Sequence, residues 1–201
     1  MPQRRTLLIA LATAGFGSAH AAATVGQPVT DFAARDAEGK EVRLSQFKGR
    51  HVVLEWMSPS CPFVRKHYNS GSMPTLQKEA GGKGVVWLSV YSNDSDGMLS
   101  AKPAKLVEWM RSKNASPAAI LVDGDGKLGK SLGARTTPHM YIVGPTGTLL
   151  YAGGIDSIAS TNEADIAKAT NFVRQGLSES LSGKPLTVAS SRPYGCMIKY
   201  K

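Results

Sequence analysis

Residues His51–Tyr68, HVVLEWMSPSCPFVRKHY, join an apolar run to a segment free of Gly through Ser58-Pro59-Ser60 and Cys61-Pro62. Val52, Val53, Leu54 and Trp56 have the alternation and β-branching of a buried strand. Ser60 offers an N-cap oxygen, and Pro62 suits a first helical turn, where its missing N–H is no loss. The sequence therefore predicts a strand running into a helix, with Cys61 at the junction. Unpaired N–H groups and the positive end of a helix dipole favour an anion there, and Arg65, Lys66 and His67 add positive charge within two turns. The thiolate is the nucleophilic form of cysteine, so this position fits a reactive Cys61 better than one that merely packs.

The chain of 201 residues is long enough for one domain with a full core that needs no disulfide for stability. Residues 1–21 read differently from the rest. Arg4 and Arg5 precede a short apolar run, Thr6–Gly17, and Ala19-His20-Ala21 has the small residues of a cleavage site. That run is short for a bilayer span. Residues 1–21 are therefore expected to be a signal peptide cleaved after Ala21. That implies export to a periplasm or another oxidising space, with no stable membrane span after cleavage. Lys and Arg outnumber Asp and Glu by 24 to 15, a net +9 that falls to +7 without Arg4 and Arg5. These charges are scattered, with no basic run or aromatic interleaving, so no nucleic-acid partner is expected. Both cysteines, Cys61 and Cys196, lie beyond the signal, 135 positions apart. In an oxidising space they pair if the fold brings them together, which an even count permits but does not establish.

The rest of the chain alternates strand and helix signals. Pro28–Phe32 and Glu41–Leu44 flank Asp36-Ala37-Glu38-Gly39 as a hairpin, and Val85–Val90 is a central parallel strand. Tyr91–Ala101 is a polar loop, Pro103–Lys113 a helix and Ala119–Val122 a strand. Asp123-Gly124-Asp125-Gly126 lacks the third acidic ligand and terminal Glu of a calcium loop, so it reads as a strand-to-helix turn before a short helix, Leu128–Leu132. His139–Val143 and Thr148–Ala152 form a second hairpin about Gly147. Ser160 and Glu163 have the pattern of a capping box, opening a long helix through Ile166, Ala169, Val173 and Leu177 that Gly183 and Pro185 end. Residues 22–185 make the domain, and residues 186–201 a tail without strong period that carries Cys196.

This order gives an α/β fold, a central mixed sheet with helices on both faces. With a cysteine at its first strand–helix junction, the chain resembles the thioredoxin-like fold over most of residues 28–182. The strand 51–57, Cys61-Pro62, Thr137-Pro138 and Gly147 carry the resemblance. The N-terminal hairpin extension and the 119–132 segment are similar to the larger redoxins, the AhpC/TSA and TlpA-like groups. Cys61–Tyr68 together with Tyr194-Gly195-Cys196 is similar to exported bacterial thioredoxin family proteins. The resemblance implies a cis Pro138 against Cys61, with Thr137 beside it. Two departures matter. Val64 stands where a thioredoxin-type Cys-x-x-Cys motif has its second cysteine. Ser58 matches the Thr or Ser that peroxiredoxins carry three residues before their cysteine, but Leu54 replaces their Pro. Arg65 and Arg135 are the candidates for a peroxide-activating arginine.

Three functions follow. In an antioxidant thiol peroxidase, the favoured reading, Cys61 is oxidised to a sulfenic acid, with Ser58 as hydrogen-bond partner. Cys196 then condenses with it, brought in by a flexible tail. In a thiol–disulfide oxidoreductase the same pair acts on exported proteins, and in either case a separate thiol reductant must recycle it. In the third reading Cys61–Cys196 is a structural disulfide on a non-catalytic binding protein. No cofactor is implied. A copper site of Cys61 with His139 or a methionine is the weaker variant, because copper-delivering redoxins use two cysteines. His51, His67 and His139 lack close ligand partners in sequence and read as packed or solvated.

Overall fold

The computed structural model of the chain describes residues 22–92 and 102–200. The expected signal peptide and residues 93–101 of the polar loop lie outside the described residues. The N-terminal hairpin consists of β1 (Ala33–Asp36) and β2 (Glu41–Arg43), and β3 (Val52–Trp56) follows it. Helices α1 (Pro62–Asn69) and α2 (Ser72–Gly82) lead to β4 (Val86–Tyr91), and α3 (Pro103–Ser112) leads to β5 (Ala119–Val122). Next come α4 (Lys127–Leu132), β6 (Thr136–Thr137), β7 (His139–Val143) and β8 (Leu149–Gly153). The last elements are α5 (Phe172–Leu181) and β9 (Cys196–Met197).

Seven strands form one mixed sheet in the order β2-β1-β5-β4-β3-β7-β8. β4 is its centre, and β3 beside it is parallel to β4 on one side and antiparallel to β7 on the other, with each of its residues buried. A strand buried on both faces needs apolar residues in both phases of the pleat, which its sequence supplies at every position but Glu55. Val53 packs under α1, α2, α3 and α5, with Val64, Leu76, Leu106 and Val173. Val52, Leu54 and Trp56 face the other way, towards Leu44 and towards Leu128 and Leu132 of α4. This is the expected three-layer α/β arrangement. Among the described residues no helix is long and apolar enough to cross a membrane.

Two expectations change. The first hairpin turns at Asp36–Gly39 as expected, but its first strand is Ala33–Asp36. Pro28 and Val29 are drawn off to the β7–β8 turn, where Pro28 bridges Thr148 and the Val29 N–H donates to the Gly147 carbonyl. The long helix from Ser160 is two pieces, a 3-10 turn over Glu163–Asp165 and α5. The side chains of Asn162 and Asn171 each cap their own start, and the Phe172 N–H is committed to the Ile155 carbonyl. The Asp123 turn holds as read. Its carboxylate accepts from the N–H groups of Leu128 and Gly129 and from the Ser92 hydroxyl.

A candidate dithiol site beneath the C-terminal tail

Three stretches of chain far apart in sequence converge on Cys61. The first is its own junction. Cys61 is the N-cap of α1, with Pro62 in the first helical turn, and its carbonyl accepts from the N–H groups of Val64 and Arg65 at 3.1 and 2.9 Å. The N-cap position expected of Ser60 thus falls one residue later, on a side chain that makes no capping hydrogen bond. The Ser60 hydroxyl instead shares a 2.9 Å hydrogen bond with that of Ser58, and the Ser58 carbonyl accepts from the Cys61 N–H at 3.1 Å. Cys61 is only 2% exposed.

The second stretch is Thr137-Pro138, whose peptide bond is cis. The Cys61 thiol donates to the Thr137 carbonyl at 2.9 Å. The third is the tail. β9 pairs antiparallel with β6, setting Cys196 opposite Thr137 and Met197 opposite Thr136. The Cys196 thiol lies within hydrogen-bonding reach of Cys61. Burial first, then the interaction with Cys61, pushes Cys196 up to about 12. Gly195 makes the approach possible, since at φ 128° a Cβ there would stand 2.1 Å from the Thr137 oxygen.

The tail is docked along its length rather than loose. Ser191 takes the Gly154 N–H on its hydroxyl at 3.0 Å, and the Ile198 N–H donates to the Arg135 carbonyl at 2.9 Å. The Tyr194 hydroxyl donates to Asp156, and the Tyr200 hydroxyl donates to the Ala134 carbonyl. Cys196, expected to be carried in after oxidation, already sits beside Cys61 with both thiols free.

Arg65 and Arg135 are exposed. Val64 is buried in the core, and Leu54 faces the opposite layer. His139 Nδ1 accepts the Arg135 N–H at 3.3 Å, and burial with the Arg135 charge lowers its pKa to about 4, so it is a packed neutral histidine. Among the described residues no group of three or more His, Cys, Asp or Glu is arranged to hold a metal ion. Sequence reasoning passed over Gly195, Tyr194, Asp156 and the buried Glu55. Tyr194 and Gly195 did stand in the quoted Tyr194-Gly195-Cys196 motif, and Glu55 in the middle of an apolar strand.

Residues 25–152, well over half of the chain, match the AhpC/TSA family. This chain belongs to the AhpC/TSA family. The family is one of thioredoxin-like oxidoreductases, and solved structures carry the same fold. A hypothetical protein from Sinorhizobium meliloti is 21% identical with a TM-score of 0.74, the match covering 90% of this chain and 97% of that one. An uncharacterized conserved protein from Geobacillus kaustophilus is 22% identical with a TM-score of 0.72, covering 89% and 93%. The thioredoxin domain of a thiol-disulfide oxidoreductase from Bacteroides vulgatus is 16% identical with a TM-score of 0.52, covering 72% and 96%. No curated protein matches this AhpC/TSA chain. Asp156, Tyr194 and Cys196 all lie beyond the residues matched to the family.

Proposed function

We propose that this chain is a thiol oxidoreductase whose working unit is the Cys61–Cys196 pair, and that its oxidant is a disulfide. The observation that carries the reading is the register of β9 on β6, which brings the Cys196 thiol against that of Cys61. Cys61, as thiolate, attacks one sulfur of the substrate disulfide, giving a mixed disulfide and releasing the other substrate sulfur as a thiolate. Cys196 then attacks the Cys61 sulfur, closing Cys61–Cys196 and releasing the second substrate thiolate. Two protein thiols are oxidised and one substrate disulfide is reduced, so a separate thiol reductant must reopen the pair. Thr137 and Pro138 are assigned the holding of the Cys61 sulfur.

A peroxide is the second reading, supported by the family and by Ser58 three residues before Cys61. Against it, the two candidate arginines are exposed while Cys61 is buried, and the Thr137 carbonyl at its sulfur is an acceptor, not a donor that would polarise an O–O bond. With residues 1–21 read as an export signal, the substrates are disulfides of exported proteins.

Thiol counting on the reduced protein tests this, with a peptide disulfide or hydrogen peroxide as oxidant. The disulfide is expected to remove both thiols in wild type, none in Cys61→Ser, and to stop at one mixed disulfide per chain in Cys196→Ser. Loss of both thiols to peroxide at a far higher rate would transfer the assignment to a peroxidase. Thiols inert to both would end the redox reading.

A further inference from the structure

Asp156 lies just past β8 and joins the helix that carries Cys61 to the tail that carries Cys196. From α1, Lys66 brings its Nζ to 3.7 Å from Asp156 Oδ2, with both side chains out of solvent. The same ammonium reaches the Ile158 carbonyl at 3.5 Å. His67 Nε2 is 3.6 Å from Oδ2. Burial holds His67 well below the usual histidine range despite the carboxylate beside it. Asp156 Oδ1 accepts the Ile158 N–H at 3.1 Å and the Tyr194 hydroxyl at 2.5 Å. The Tyr194 ring also packs edge-on against Phe63, two residues past Cys61, with ring centroids 5.8 Å apart.

An ion pair taken out of water is costly to desolvate and is not by itself a reason for stability. What this one provides is a fixed, charged acceptor aimed at a tail residue two positions before Cys196. We infer that Asp156, held by Lys66, seats Tyr194 and thereby sets the fraction of time that Cys196 covers Cys61. Tyr194 and Asp156 are positioning residues of the dithiol. This rests on the Cys61–Cys196 couple proposed above, in which Cys61 must be uncovered to meet a substrate and covered for Cys196 to close on it. A hydrogen bond to a charged group is worth about a ten- to hundredfold change in such an equilibrium.

The test uses the full chain with Cys196→Ser, so that Cys61 is the single thiol, and follows its alkylation by iodoacetamide. Adding Tyr194→Phe, which keeps the ring and removes only the donor, is expected to speed alkylation about ten- to hundredfold. Asp156→Asn should act in the same direction, and the double variant should add little to the larger single effect, because both break one contact. A rate unmoved by Tyr194→Phe would overturn the inference even if thermal stability fell, since packing alone predicts that pattern. A parent already alkylated as fast as a free thiol would overturn it too. Wild-type protein equilibrated with reduced and oxidised glutathione separates the two levels. If no Cys61–Cys196 disulfide forms at any ratio, the couple fails and the positioning role fails with it. If it forms while Tyr194→Phe leaves alkylation unchanged, only the positioning role is lost.

Discussion

Glu55 holds a carboxyl group in the centre of β3, fully enclosed, and four donors from other elements reach it. Tyr68 Oη and Trp87 Nε1 donate at 2.8 Å, Ser89 Oγ at 3.0 Å and Gln77 Nε2 at 3.2 Å. Burial raises its pKa, and the hydrogen bonds from Trp87, Tyr68, Ser89 and Gln77 only partly oppose the shift. The sign of the pH dependence follows. With the folded-state pKa above the unfolded value of about 4.3, Glu55 adds stability that is fully present below that pH. The contribution is lost as pH rises through the raised pKa. Glu55→Gln does not titrate. The difference in unfolding free energy, wild type minus Glu55→Gln, is therefore expected to fall with rising pH above about 4, at no more than about 1.4 kcal/mol per pH unit. Urea unfolding at a series of pH values checks this: a flat difference would show that the four donors balance burial, and one that rises with pH that they outweigh it. The sequence reveals Glu55 as an odd residue in an apolar strand. It does not reveal the partners, which come from α1, α2 and β4 and meet only once the sheet has its helices.

At the scale of elements, what could be read in advance was what neighbours in sequence decide. The strand–helix junction at Cys61-Pro62 is local, and so is the turn at Asp123, whose carboxylate meets N–H groups five and six residues on. β9 was not legible. Two residues have no period, and the strand exists because Thr136 and Thr137, some sixty positions earlier, present the edge it pairs with. Gly195 is where that pairing is most exposed to test. Its absent side chain leaves room for the Thr137 carbonyl, a backbone group, and its φ of 128° is strained for any other residue. Gly195→Ala is expected to lift β9 off β6 and carry Cys196 away from Cys61 while the seven-stranded sheet stays intact. Closure of the pair by oxidised glutathione should then slow by about tenfold or more, since the reaction loses its held geometry, with the far-ultraviolet circular dichroism unchanged. Closure at the wild-type rate would mean that the tail finds Cys61 without this strand.

At the scale of the molecule, the order of strands and helices was enough to predict a mixed sheet covered on both faces, and the resemblance carried by Cys61-Pro62 and Thr137-Pro138 pointed to its thioredoxin-like form. The docking of the tail on both layers was beyond it, because that docking is tertiary throughout. Val188, Tyr194 and Cys196 pack against the core under α1, and Ile198 against the core under α4. A disulfide between Cys61 and Cys196 would close a loop of 135 positions. The chain entropy it removes from the unfolded state is worth on the order of 5 kcal/mol. Because the two thiols already meet in the dithiol form, closing the bond asks for little rearrangement of the folded state, and most of that gain should survive. For a chain of this size it amounts to roughly 10–20 °C in melting temperature. The oxidised protein is therefore expected to melt that far above the reduced one, with the reduced protein still cooperatively folded at 25 °C on its two apolar layers. Differential scanning calorimetry of both forms, with thiols counted before and after each scan, decides it. A reduced protein that is unfolded at 25 °C would make the bond a structural staple, because a redox couple needs a folded dithiol to return to. A gap close to zero would mean that the unfolded chain already keeps its tail near Cys61, so that the bond removes little freedom there.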